Sequence, residues 1–237
     1  MADLHLLCAG AVKGLVLALQ AGFEASAGVR LEAKFGAVGA MRDELAAGAQ
    51  CDVFVATDAM VSALVASGAL RAGSARAIGR VETSVAVREG VRPPDIANAD
   101  ALRSALLAAT ALYIPDAKRS TAGAHAVAVL AALGIGDRLA SRLREHPNGA
   151  TAMHALAASG DDGALGCTQE TEIRYTPGLA LAGALPPPHA LATVYTAALA
   201  TSARDVDAAE RFVALLSGPA SAQRRRAGGF GAVSPGG

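Results

Sequence analysis

Residues 7–29, LCAGAVKGLVLALQAGFEASAGV, begin as an apolar strand, break at Ala9-Gly10-Ala11 and continue as an apolar helix. Leu15, Leu19 and Phe23 recur every four residues, which places them on one helical face. A strand that feeds a small-residue loop and then a helix leaves main-chain N–H groups facing out of the loop. Such a corner holds an anion.

The unit repeats downstream. VRLEAKF (29–35) alternates, with Val29, Leu31, Ala33 and Phe35 on one face, and GAVGAMRDELAAG (36–48) is a second small-residue loop running into a helix. CDVFVA (51–56) reads as a buried strand. TDAMVSALVASGAL (57–70) reads as a helix with Thr57 or Asp58 as N-cap and Gly68 as its stop. Three such repeats predict an α/β fold with an open, mostly parallel sheet and ligands at the carboxyl ends of its strands.

Near residue 81 the rhythm changes. VETSVAVRE (81–89) alternates over a longer run, and a proline turn leads to a helix capped by Asn98. ALYIPDAKRSTAGAHAVAVLAALG (111–134) repeats the strand, loop and helix, with Ser120 and Thr121 as caps. NGATAMHALAASG (148–160) is another helix and GALGCT (163–168) another strand. After ALPPPHA (184–190), ATVYTAALA (192–200) alternates again, and two helices close the chain. These two alternating runs predict two crossings between lobes. One lobe is discontinuous, 1–82 with 193–237, and 83–192 is inserted into it.

Charge is balanced, 21 basic against 21 acidic residues, which gives no basis for electrostatic capture of nucleic acid. No apolar run is long enough to span a bilayer, so no direct membrane insertion is expected. Cys8, Cys51 and Cys167 sit in strand-like apolar contexts and read as small buried hydrophobes. His5, His125, His146, His154 and His189 lack metal-ligand spacing, and there is no paired-cysteine motif or HExxH, so no metal is expected. GK[ST] loop, nucleophile elbow and strand-born dinucleotide fingerprint are all missing, and the GxG of GIGDRL (134–139) follows a helix; no cofactor is expected. The RRR run at 224–226 is expected to sit in solvent near a helix end. The first residues enter a strand with no basic leader or cleavage site. A cytoplasmic location is expected, or a periplasmic one if a leader has been trimmed.

Taken in order, LHLLCAGAVKG, FGAVGAMRDELAAG, CDVFVATD, YIPDAKRSTAG and GALGCTQETEI resemble the molybdate-binding-protein branch of the type II periplasmic binding proteins, over nearly the whole chain. The resemblance implies two Rossmann-like α/β lobes joined by two crossing strands, with a cleft for a small anion. A membrane transporter subunit would be the partner. It also implies an oxyanion held by main-chain N–H groups and a few hydroxyls, and there this sequence departs. The serines of the first two loops fall on Ala11 and Val38, and the tyrosine of the last strand falls on Gln169. A hydrogen bond to a charged group contributes about 1.5–3 kcal/mol, so losing two or three weakens affinity by orders of magnitude at roughly 1.4 kcal/mol per tenfold. Molybdate is therefore a poor ligand, and a small organic acid suits an apolar-walled site with a few directed polar groups.

On this register the ligand-binding candidates in the first lobe are Gly10, Ala11, Val12, Lys13, Val38, Gly39, Ala40 and Thr57. Those in the second are Arg119, Ser120, Thr121, Ala122, Asn148 and Gln169, with Thr168 and Glu172 as further polar groups. Lys13 and Arg119 can pair with carboxylates, Arg119 as a planar fork. Each residue also has a plainer role. The glycines can pack a helix on a sheet, Thr57 can be only an N-cap, Glu172 a solvated strand-end carboxylate, and Lys13 and Arg119 exposed charges. An enzymatic alternative remains. The AGAV loop also resembles relatives that include aconitate isomerase, and proton transfer beside carboxylates needs a base, for which Glu172 and His146 are the candidates.

Overall fold

The opening strand, β1 (Ala2–Ala9), lies between β2 (Val29–Gly36) and β3 (Val53–Thr57) and is parallel to both. A 3-10 turn, Gly10–Val12, leads from β1 into α1 (Lys13–Ala27). Two shorter helices, α2 (Val38–Ala46) and α3 (Asp58–Ala66), follow β2 and β3. This is a computed structural model, and it describes residues 2–233.

Two units make up the chain, Met1–Val81 with Thr193–Gly237, and Glu82–Ala192. β4 (Arg76–Arg88) runs out of the first unit into the second. The second continues with α4 (Ala99–Ala108), β5 (Leu112–Pro115), α5 (Thr121–Ala132), the single turn α6 (Gly136–Leu139) and β6 (Leu143–His146). Then come α7 (Gly149–Ala158), β7 (Leu165–Gln169), α8 (Glu170–Tyr175) and β8 (Leu179–Ala184). β9 (Ala192–Leu199) leads back to the first unit, which ends with α9 (Val206–Ser217) and α10 (Ala222–Ala227).

Within each unit three strands are parallel: β2, β1 and β3 in the first, β6, β5 and β7 in the second. The strands beside the crossings depart from this. β9 is antiparallel to β3, and β4 is antiparallel to β7 and β8.

Each unit buries its own apolar core. In the first, Leu4, Leu6, Phe54 and Val55 from the strands meet Val16, Leu19 and Phe23 of α1 and Phe212 and Leu216 of α9. The Phe23 and Phe212 rings meet edge to face at 4.8 Å, a pair worth about 1 kcal/mol beyond its area. In the second unit, Val85, Leu112, Ile114 and Leu165 pack against Leu102, Leu106 and Leu130, while Met153 and Leu156 fill the other sheet face with Ile173.

In the basic run near the end, Arg224 and Arg226 are exposed at a helix end as expected, and Arg225 alone turns inward. Arg225 Nη1 donates to the carbonyls of Leu216 at 2.9 Å and Gly218 at 2.7 Å, and burial lowers the guanidinium's pKa. These carbonyls end α9 without intrahelical partners, which is why a nearby cation turns inward.

Asp52 is 1% exposed and fastens three segments. Its carboxylate accepts from the main-chain N–H of His5 at 2.8 Å and of Arg204 at 2.7 Å. Asp52→Ala removes the acceptor of both N–H groups, and a fall of about 2 kcal/mol in unfolding free energy is expected by urea titration.

Candidate functional site

Register decides where the loops of each unit fall. In the first, Ala9 lies opposite Gly36 and Cys8 opposite Val55, so the carboxyl ends of β1, β2 and β3 finish side by side. Gly10, Val38 and Thr57 are therefore brought to one edge of one sheet. In the second unit, Pro115 lies opposite His146 and Tyr113 opposite Gly166. Arg119–Ala122, Asn148 and Gln169 accordingly share one edge there.

The helices starting at these edges fall into two kinds. Thr57 accepts from Met60 N at 3.4 Å, Ser120 from Gly123 N at 3.3 Å, and Asn148 from Thr151 N at 2.9 Å. These are side-chain caps, which satisfy one orphan donor each. The helices entered through Val12, Ala37 and Gln169 have no side-chain cap. Their first N–H groups carry the positive end of the helix dipole, which favours an anion.

Ala11, Val12 and Val38 are buried within the apolar cluster of their unit. None of these side chains carries a polar group, so these loops offer main-chain amides as their polar groups, together with Gly39 and the half-buried Ala40. Lys13 is half-buried, its Nζ 6.0 Å from the centroid of the Phe35 ring. That is the outer limit of a cation–π contact.

In the second unit Asp116 organises the loop before α5. Its Oδ1 accepts from the N–H groups of Lys118 at 2.7 Å and Arg119 at 3.0 Å, and its own N–H donates to His146 O at 2.7 Å. Arg119 is thereby held by its backbone while its side chain is exposed, and Thr121 and Ala122 form the first turn of α5. His146 stacks on Tyr113, ring centroids 5.7 Å apart. Asn148 carries a role that spacing did not reveal: besides Thr151 N, its Oδ1 accepts from Thr151 Oγ1 at 3.0 Å.

Of the two readings of Glu172, the solvated strand-end carboxylate does not describe its place. The strand stops at Gln169, and Glu172 lies in α8, 7% exposed. Its Oε2 accepts from Thr168 Oγ1 at 2.5 Å. Burial pushes the carboxyl up to about 7, against the Thr168 hydroxyl and the N–H groups of Gln169 and Ala150, which favour the charged form. No hydrogen bond or ion pair joins Glu172 to His146 among the described residues, so the two candidate bases are not brought together as a pair.

Two polar atoms at this end of β7 had no sequence signal beyond the residue type. Thr83 Oγ1, opposite Gln169 on β4, and Thr171 Oγ1 are both buried with no hydrogen-bond partner among the described residues. Such groups are rare in native proteins and ask for a reason. Burial raises the thiol pKa of Cys51 and of Cys167 to about 12 and that of Cys8 well upward, which leaves all three unreactive. Among the described residues no group of three His, Cys, Asp or Glu could hold a metal ion, and no single helix is long and apolar enough to cross a membrane.

Residues 4–231 match the family model described as bacterial extracellular solute-binding protein. Aconitate isomerase of a Pseudomonas species is 26% identical over 220 residues, covering 90% of this chain and 82% of that protein. The periplasmic molybdate-binding protein of Azotobacter vinelandii superposes with a TM-score of 0.77 at 21% identity, over 98% of this chain and 99% of that one. A sulfate-binding protein of Mycobacterium tuberculosis gives a TM-score of 0.75 at 16% identity, over 99% of this chain and 88% of that one. At these identities the two structures speak for the fold alone, the two-lobed α/β architecture of periplasmic binding proteins.

Proposed function

Because the chain belongs to the bacterial extracellular solute-binding protein family, we propose that its ligand is a small organic carboxylate and that molybdate binds weakly. The observation that carries this is the pair of uncapped, hydroxyl-free loops at Gly10–Val12 and Val38–Ala40. They present amide donors and no alcohol, a poor match for a tetrahedral oxyanion that accepts from every side. A planar carboxylate needs fewer donors, and the carbon skeleton behind it suits apolar surroundings. In the second unit Arg119 supplies an exposed guanidinium for a second carboxylate, and Ser120, Thr121, Ala122, Asn148 and Gln169 border its loops. The ligand would be handed to the membrane subunits of an ABC-type transporter, with the protein acting outside the cytoplasm as its family does.

A second reading is isomerisation of a small polycarboxylic acid. The 26% identity to an aconitate isomerase favours it. It needs a base that reaches the carbon acid. Glu172 is raised toward a suitable range but is enclosed, and His146 is the more accessible of the two.

The test is a thermal-shift panel of molybdate, sulfate, citrate, cis-aconitate and trans-aconitate. A ligand of the native state raises the melting temperature with concentration. The reading expects an organic acid to give the largest shift; a dominant molybdate or sulfate shift overturns it. Incubating each stabilising acid with protein and following its isomers by chromatography separates binder from enzyme, since conversion favours the second reading.

Restoring the alcohols gives a separate prediction. The double variant Ala11→Ser, Val38→Ser should gain molybdate affinity by about tenfold or more, read by calorimetry, at roughly 1.5–3 kcal/mol per bond to a charged group less the lost packing.

A further inference from the structure

Around Glu172 the second unit is built as though for an anion, and it supplies that anion itself. Gly149 is the first residue of α7. A Cβ at this position would lie 1.9 Å from Glu172 Oε2 and 2.3 Å from Thr168 Oγ1. The carboxylate is thus pressed against the bare backbone of a helix start, where only glycine fits. Thr168 grips the same oxygen from the end of β7. Thr176 Oγ1 donates to the Glu172 main-chain carbonyl at 2.8 Å, which fixes the helix that carries it. One enclosed side chain therefore ties three segments: the Asn148–Ala150 corner, the Thr168–Gln169 strand end and α8.

Among the described residues no neighbouring charge neutralises it. α7 carries only the exposed His154, and β7 and β8 carry no charged residue at all. On its own helix, Glu170 and Arg174 pair with each other at 2.6 Å. The carboxylate is balanced by N–H and O–H dipoles, so a second negative charge arriving at Asn148 or Gln169 acts on it almost unscreened.

We propose that Glu172 is a positioning residue of the second unit's strand-end loops, bracing Asn148 and Gln169 for the ligand as an internal anion, and that it takes up a proton from solvent when the ligand's charge arrives. The inference rests on the carboxylate reading above. It assigns the polypeptide a built-in competitor: the ionised brace weakens anion binding and the protonated brace permits it.

The experiment uses trans-aconitate as probe, with calorimetric titrations between pH 6.5 and 8.5 in two buffers of different ionisation heat. For the wild type, affinity should fall about threefold to tenfold across that range, with net proton uptake near pH 7. Glu172→Gln should remove the part of the uptake and of the pH dependence that Glu172 contributes; any titration of trans-aconitate itself persists in that variant, so the difference isolates Glu172. Thr168→Val removes a bond that favours the charged form and should move the profile to higher pH, which keeps the test open if Glu172→Gln folds poorly. A probe that binds the wild type with a flat profile, or an identical profile in Glu172→Gln, overturns this inference and leaves the carboxylate reading standing. Failure of trans-aconitate and the other acids to bind the wild type at any pH overturns both.

Discussion

Between pH 4.5 and pH 7.5 the wild type should lose about 3 kcal/mol of stability relative to Glu172→Gln. The Glu172 carboxyl is raised from 4.5 to about 7 in the folded chain. A folded state that holds a proton more tightly than the unfolded one is favoured where that proton is bound, below the unfolded value. The advantage then declines until the folded value is passed, the reverse of a salt-bridged carboxylate. At roughly 1.4 kcal/mol per unit, the shift amounts to about 3 kcal/mol. Asp3 and Glu24 shift the opposite way, Asp3 through its bond to Arg30 and Glu24 through the Leu31 N–H. The raw wild-type curve mixes all of these, and only the difference between wild type and variant reports Glu172. Urea titrations at half-unit steps of pH measure it. A difference that stays constant from pH 4.5 to 7.5 would show that the carboxyl is not held as described.

Gly123→Ala should cost about 3 kcal/mol and cut the melting temperature by several degrees. A Cβ there would sit 2.3 Å from the carbonyl oxygen of Pro115 and 2.6 Å from that of Asp116. Both obstacles are backbone, so no side chain can swing away. Relief requires α5 to lift from the end of β5, and overpacking of this kind costs about 1–3 kcal/mol even where neighbours yield. Ala126, Val129 and Leu130 of the same helix are core residues, and lifting its start disturbs them too. Melting followed by circular dichroism checks the expectation. An unchanged melting temperature would mean that α5 does not rest on that corner.

Much of this arrangement is legible in the sequence, and the legible parts share a cause. α1 is visible because Leu15, Leu19 and Phe23 mark one face at helical spacing and all three are buried. Thr57, Asn98 and Ser120 are readable as caps because capping is a local transaction between a side chain and an amide three residues on. What escapes is whatever depends on a partner far along the chain. β6 is four residues of mixed polarity, LREH, and becomes a strand only because β5 lies beside it. β8, LALAGA, has no alternation, since every residue but the last is half-buried. The site divides the same way. The small-residue loops announce themselves as helix entries, whereas Glu172 is a glutamate among others in TQETEI until Gly149 closes over it from twenty-three residues upstream. Thr83 is equally silent, its importance set by the strand opposite.

The two crossings also impose an order on events at the ribosome. Tyr195 is the partner of Thr57, and roughly 140 residues separate β3 from β9, so the first unit emerges with one sheet edge bare while the inserted unit is still being made. At about 5–20 residues per second that interval lasts on the order of ten seconds. The inserted unit, by contrast, is one contiguous segment whose apolar clusters draw on no residue outside it. It can therefore mature first, and the clasp of Asp52 on Arg204 closes the older half only afterwards. A nascent chain of this design exposes an unpaired strand edge until β9 arrives to cover it.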